Sequence, residues 1–316
     1  MSRRLSRAAG FILLPVILAM TLIAAIAFSL NRDNGVNAEM VAGQSDMDRA
    51  RYAAEAGLQV VNASIQGNNC AGFYPSNLTP KTNSNFGGAS YSAYAVVPWG
   101  NTTSLSATGS FNGATVTLTR NNVIAYRSTP RTYTLQPNAT AGLDTYINTG
   151  SKSNNGWADK LKLKALNSYP LFKFDLSMFP AGSLPLSATL SLYARGVGSG
   201  GNAGDKVSLY RLSSSWTETG VNWPTRDGGT PWAMPGGDFS PVAAASVPDI
   251  FDNTWANFDV TDLTTAWLLG RYPNNGFILA SGPAAANAEF ASSDGTLANA
   301  PKMSFTYLLP CGMTGP

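Results

Sequence analysis

Three hydrophobic patterns succeed one another along the chain. After a short basic and polar opening, MSRRLSRAAG, the stretch Phe11–Leu30 runs 20 residues without a charge. Wound as a helix at about 1.5 Å per residue, such a run spans roughly 30 Å, the thickness of a bilayer's hydrocarbon core. Arg3, Arg4 and Arg7 precede it, so positive charge holds the leader in the cytoplasm and sends the rest outward. Ala24–Ala27 offers small residues to a signal peptidase, which leaves cleavage after the run open as an alternative. From Ala38 to Ile65 the apolar positions become periodic. Met40, Met47, Ala50, Ala54, Leu58, Val61 and Ile65 recur at three-, four- and seven-residue steps, the spacing of one helix face. Asp46, Asp48, Arg49, Arg51 and Glu55 take the remaining faces.

Beyond Gln66 the pattern turns to short alternations. Tyr91–Trp99, Leu105–Thr108, Ala114–Arg120 and Val123–Arg127 are predicted strands, with Asn112-Gly113 and Asn121-Asn122 as hairpin turns. From about Thr132 the alternation lengthens. Leu161, Leu163 and Ala165 interleave with Lys160, Lys162 and Lys164, and Phe172 and Phe174 flank Lys173. Leu190, Leu192 and Ala194 repeat the period of two, as do Phe258 with Val260, and Met303 with Phe305 and Tyr307. One short helix interrupts: Thr261 as cap, Asp262 in the first turn, Leu263 and Trp267 on one face, Gly270 at its end. About eight to ten strands over roughly 175 residues predict a two-sheet sandwich. The expected fold is mainly β with a long N-terminal α-helix: a helix plus small sheet, then a jelly-roll β-sandwich. The predicted segments are a leader 1–10, a transmembrane and amphipathic helix 11–65, a small β head 66–130, a sandwich 131–309 and a tail 310–316.

Composition narrows the chemistry. Charged residues make up only 12% of the chain and the net charge is +3, so there is no basic face for nucleic acid. Histidine is absent, which removes Ser/His/Asp and Cys/His catalysis. No Walker or dinucleotide motif occurs, and Gly196–Gly204 reads as a loop between strands. The two cysteines, Cys70 and Cys311, have no metal-ligand spacing. In an exported chain such a pair is more often a disulfide than two free thiols. Closing so long a loop stabilises by at most roughly 5 kcal/mol in the chain-entropy model.

Two resemblances organise these readings. Arg7-Ala-Ala-Gly10 followed by Phe11 resembles the class III leader of type IV prepilins, and Ala50-Arg-Tyr-Ala-Ala-Glu-Ala-Gly57 resembles the helix of minor pilins and pseudopilins. The resemblance implies cleavage after Gly10, methylation of Phe11, and partners in a prepilin peptidase, the inner membrane and other pilin subunits. Major pilins carry a glutamate five residues into the mature chain; here that position is Pro15. The departure implies a minor subunit, placed at a filament tip where no earlier neighbour needs the carboxylate. The second resemblance rests on Asp144-Thr-Tyr-Ile147, Leu171-Phe-Lys-Phe-Asp-Leu-Ser177, Ser187-Ala-Thr-Leu-Ser-Leu-Tyr193, Ser215-Trp-Thr-Glu-Thr-Gly-Val-Asn-Trp223, Asn274-Asn-Gly276 and Ala300-Pro-Lys-Met303. These are similar to the DNRLRE-type domain, a module classed among carbohydrate-binding families. That likeness implies a jelly roll on a surface protein, with polysaccharide contact in some members. Lys173 stands where an arginine is usual, which keeps the charge and loses the bidentate geometry.

The candidate site residues follow. Trp157 and Trp232, in loops rich in Gly, Asn and Pro, are candidates for stacking on sugar rings, while Trp216 and Trp223 are expected in the core. Asp144, Asp175 and Asp259, at strand ends, are candidates for calcium, the one cofactor considered, although no compact Asp-rich loop accompanies them. Glu218 is expected to hold a turn or strand by hydrogen bonds. Three functions remain open: a minor pilin presenting a sandwich for adhesion or glycan contact at the cell surface, a membrane-tethered carbohydrate-binding module without a filament role, and an anchored polysaccharide-degrading enzyme. The first, a non-enzyme, accounts for most of the chain.

Overall fold

The computed structural model describes residues 13–66, 68–70, 80–96, 102–198, 206–282 and 287–316. They divide into two compact units, one built on Met1–Ser64, Pro75–Val97 and Thr103–Val123, the other on Ile65–Tyr74, Pro98–Thr102 and Ile124–Pro316.

In the first unit the helix α1 (Leu13–Gln66) accompanies four strands: β1 (Lys81–Phe86), β2 (Ala89–Ala95), β3 (Thr102–Phe111) and β4 (Ala114–Ile124). The strands form one sheet in the order β1-β2-β3-β4. Small residues decide how the helix meets this sheet. Ala50, Ala53 and Ala54 are fully buried, as are Ala93, Leu105 and Ala107. A Cβ at Gly109 would lie 1.9 Å from the Ala50 carbonyl oxygen, so only glycine lets strand and helix backbones come this close. Met40 and Met47, placed on the same apolar face by periodicity, are exposed; the buried face begins only at Ala50. The Asn112-Gly113 turn forms with positive φ at both residues, as a type I′ hairpin requires. The expected turn at Asn121-Asn122 does not: β4 runs through it, absorbing Asn122 at φ 55°. Asparagine tolerates that conformation at low cost, so it marks an irregular strand as readily as a turn.

Gly10 and Phe11, the predicted processing site, lie outside the described residues, and Pro15 falls within α1. Among the described residues no helix is long and apolar enough to cross a membrane.

The second unit is an antiparallel two-sheet sandwich of eleven strands. In chain order they are β5 (Arg131–Leu135), β6 (Leu143–Asn148), β7 (Lys160–Leu163), β8 (Ser168–Lys173), β9 (Leu184–Val197), β10 (Val207–Leu212), β11 (Phe239–Val247), β12 (Trp255–Asp259), β13 (Phe277–Ser281), β14 (Ala288–Ala291) and β15 (Lys302–Leu308). One sheet runs β11-β10-β13-β8-β6; the other runs β5-β15-β9-β14-β7, with β12 also on β9. The period-two residues meet between them. Leu161, Phe172, Leu190, Leu192, Leu209, Phe258, Phe277, Phe290 and Phe305 are all at most 1% exposed in one continuous core. The helix α2 (Thr261–Leu268) follows β12 and buries Leu263 and Trp267. Thr261 is its first residue rather than its cap. The Thr261 amide and hydroxyl both donate to Asp259 Oδ1, at 3.0 and 2.6 Å. Cys70 and Cys311 are bonded, with Cα atoms 5.6 Å apart and a sequence separation of 241. The tail is also tied down: Arg131 donates to the Gly315 carbonyl at 2.8 Å, and the Tyr307 hydroxyl donates to that of Pro316.

Candidate functional site

The segment 213–238, between β10 and β11, carries three tryptophans, Trp216, Trp223 and Trp232, among many polar residues. It folds on itself through bonds such as the Trp232 amide to the Pro224 carbonyl (3.1 Å) and the Gly236 amide to the Trp223 carbonyl (2.9 Å). It also packs on the strand side that faces away from the main core. Trp216, Val221 and Trp232 join Ile147, Leu171, Leu212 and Ile278 in a second apolar cluster. The two buried indoles are satisfied, Trp216 Nε1 by the Asn275 carbonyl at 2.9 Å and Trp232 Nε1 by the Asn222 carbonyl at 3.0 Å.

One edge of the segment opens into a cavity of about 630 Å³. Tyr169, Trp223, Met234 and Phe239 supply its apolar walls, with Ser213 and Asp238 among the polar lining. Tyr169 and Trp223 stand 5.8 Å apart at 32°. Trp223 lies against the backbone of Gly236, where a Cβ would come within 2.5 Å of the indole and φ is 103°. Glycine is thus needed twice over at that position. Asp238 is held by the Met234 amide at 3.1 Å and the Ser214 hydroxyl at 2.8 Å. Ring faces with a few fixed polar groups, in a space of this size, suit a small polar ligand with apolar faces.

The opposite edge of the segment brings Glu218 to the start of β6 and to the turn after β14. Ligand oxygens of Asp144, Glu218 and Asp294 all lie within 4.8 Å of one another. Asn154 fixes the backbone around Glu218, its Nδ2 donating to the Glu218 and Val221 carbonyls at 2.6 and 2.8 Å. Glu218 Oε1 accepts the Asp144 amide at 2.9 Å. Asp144 accepts the Ser292 hydroxyl at 2.6 Å and the Ser293 amide at 3.0 Å. Burial pushes the Glu218 carboxyl up to about 7, and the charges of Asp144 and Asp294 push the same way. Burial likewise raises Asp144, against the pull of the Ser292 and Ser293 hydroxyls and the Ser293 amide, and it raises Asp294. Asp144 is 3% exposed with both oxygens engaged. It is out of reach of a glycosidic bond, so this cluster does not form the open carboxylate pair of a glycosidase.

Two other surfaces compare poorly as ligand seats. A larger recess of about 1190 Å³ reaches from Gly142 and Glu218 to Trp267, but its rings, Phe174, Phe179 and Trp267, are buried in the core. On the outer face of the β9 sheet, Trp255 packs edge-on against Tyr193 at 5.3 Å. Lys302 sits 3.9 Å over the Trp255 ring. Lys160 pairs with Glu289 and Arg195 with Asp159, both at 2.9 Å. Its cations are therefore already engaged.

The sequence-predicted residues scatter. Trp157 is exposed, at 78%. Trp232 is corrected: at 3% exposure it is core, because its glycine- and proline-rich loop folds back over it. Trp216 is core as expected, but Trp223 is half-buried and lines the cavity. The calcium set is corrected too. Asp175 Oδ1 accepts the Ser177 amide at 2.8 Å and Asp259 holds the start of α2; each is a turn clasp, and only Asp144 belongs to a carboxylate cluster. The hydrogen bonds to Asp175 and Asp259 hold both carboxyls below their ordinary range. Glu218 does hold a strand, as expected. Asp294 and Phe239 escaped the sequence reading; the Ser292-Ser293-Asp294-Gly295 turn was the only signal for the first.

A two-sheet antiparallel sandwich with an aromatic-walled recess has the build of a carbohydrate-binding module. Residues 134–307 match the model of carbohydrate-binding module family 96, and the chain belongs to that family. No curated protein matches the chain.

Proposed function

We propose that this chain is a non-catalytic, glycan-contacting subunit whose sandwich is presented outside the cell membrane by a pilin-like N-terminal segment. The observation that carries the glycan part is the cavity walled by Tyr169, Trp223, Met234 and Phe239, within residues that match a carbohydrate-binding family. A pyranose offers apolar C–H faces to such rings and hydroxyls to Ser213 and the backbone around Asp238. Trp157 is an outlying second ring for a longer chain.

The pilin-like part is supported by the Gly10-Phe11 junction, the uncharged run after it and a helix packed on a four-stranded sheet through small residues. Pro15, where a major pilin has glutamate, favours a minor or tip position; it equally favours a tethered module that never enters a filament. The mass of the mature N-terminus separates these readings from simple secretion. A chain starting at methylated Phe11 supports prepilin processing, and one starting at Met1 or after the apolar run removes it.

Glycan binding is tested with the full-length protein in detergent against a panel of soluble neutral and acidic polysaccharides by affinity electrophoresis. Phe239→Ala and Met234→Ala, both at exposed positions, are expected to weaken the positive interaction about tenfold with unchanged circular dichroism. Binding that survives both substitutions places the sugar elsewhere and sinks this assignment of the site.

A further inference from the structure

We propose that Asp144, Glu218 and Asp294 bind a hard divalent cation of the calcium class, which fastens the 213–238 segment to the end of the sandwich. The three carboxylates arrive from separate places: the start of β6, the segment itself and the turn after β14. Their ligand oxygens nevertheless fall within 4.8 Å of one another. A calcium ion holding oxygens at about 2.3–2.6 Å has its opposed ligands up to about 5 Å apart, so one ion reaches all three.

Proximity of acids alone carries little, but two buried oxygens at the cluster, one of them on a residue outside the acid set, lack partners. Ser293 is 2% exposed, and its Oγ makes no hydrogen bond. The same residue's amide donates to Asp144. Its hydroxyl faces that carboxylate without making a hydrogen bond to it. Asp294 Oδ2 is shielded from solvent and likewise has no partner. Buried polar atoms left unpaired are costly and uncommon in folded proteins. Among the described residues no Lys or Arg forms an ion pair with any of the three acids. A cation satisfies both orphaned oxygens and offsets the repulsion in one step. The donors are all oxygen, which selects a hard ion over zinc or copper.

The consequence is a clasp. Glu218 stands five residues before Trp223, and Asn154 locks the backbone between them through the Glu218 and Val221 carbonyls. Calcium at Glu218 therefore steadies the same segment that walls the aromatic cavity. The cation site does not depend on the cavity binding sugar, and its test reads no sugar.

The experiment takes full-length protein in detergent, stripped with EDTA, at pH 7.5. Thermal unfolding is followed by tryptophan fluorescence as calcium chloride is added, and terbium luminescence reports direct occupancy. Calcium at a hundredfold excess over its dissociation constant should raise Tm by roughly 5–10 °C, reversibly with EDTA. Terbium should bind and be displaced by calcium. Glu218→Gln and Asp294→Asn should each abolish both responses. In EDTA, Asp294→Asn should be at least as stable as the parent, because one like charge is gone. A parent protein with no calcium shift up to 10-fold above the terbium concentration that saturates, or with no terbium signal, overturns the proposal. So does a calcium response that persists in either variant. If the variants fail to fold, the titration of the parent protein alone decides.

Discussion

The two units of this protein are packed in opposite ways. The helix-and-sheet unit is closed by absence of bulk: Ala50, Ala53, Ala54, Ala93 and Ala107 are fully buried, and Gly109 lets backbones touch. The sandwich is closed by bulk, with Phe172, Phe258, Phe277, Phe290 and Phe305 filling the space between sheets. Close packing of small residues tolerates no added atoms, whereas a core of large rings tolerates no removed ones. The difference teaches that one chain uses two routes to the same interior density. It also makes the units separately readable, since the six tryptophans among the described residues, Trp157, Trp216, Trp223, Trp232, Trp255 and Trp267, all lie in the sandwich unit. Tryptophan fluorescence therefore reports the sandwich, and helical dichroism at 222 nm is dominated by α1.

The largest expected effect is in the sandwich. Phe258→Ala empties a fully buried ring position and should cost about 3–5 kcal/mol, lowering the fluorescence-detected Tm by about 10 °C while the helical signal melts unchanged. Next comes the opposite change in the other unit. Gly109→Ala adds one carbon 1.9 Å from a carbonyl oxygen and should cost about 2–3 kcal/mol through forced backbone movement. This loss should be seen in dichroism and not in fluorescence. If Gly109→Ala proves neutral, the claim of contact-limited packing in the first unit is broken; if both probes shift together, the units are not independently readable.

The smallest effect sharpens the picture of polar clasps. Asp259→Ala removes the acceptor that holds the Thr261 amide and hydroxyl, a change worth roughly 0.5–1 kcal/mol by analogy with helix caps. Those bonds lower the Asp259 carboxyl in the folded state. The group therefore contributes stability that is full above the ordinary 3.8 and is lost as pH falls through its depressed folded value. The Tm gap between parent and variant should close in acid. A gap that stays constant down to pH 2 would mean that the carboxylate charge plays no part.

Periodicity carried the local architecture well. The alternations at Leu161/Leu163, Phe172/Phe174, Leu190/Leu192 and Met303/Phe305 became inward faces, because a strand exposes alternate side chains to alternate sides whatever its partner. The pairing of Cys70 with Cys311 was legible for a different reason: with two cysteines there is one intramolecular choice. The resemblance of several segments to the DNRLRE-type domain implied a carbohydrate-binding module, and the family match over residues 134–307 agrees. Where periodicity gave out, prediction failed. Met40 and Met47 share a helical stripe with Ala50 yet are exposed, since a stripe says which face is apolar and not how far the partner sheet extends.

What the sequence determined by itself, then, was whatever depends on neighbours along the chain: the strands, the short helix, the β class, the lack of histidine chemistry and the family. Tertiary structure decided which distant residues meet. It buried Trp232, turned Trp223 toward a cavity, left Asp175 and Asp259 as turn clasps, and gathered Asp144, Glu218 and Asp294 from positions up to 150 residues apart. The physical reason is that burial and charge proximity depend on sheet order and on how the 213–238 segment folds back, and neither leaves a periodic trace in the chain.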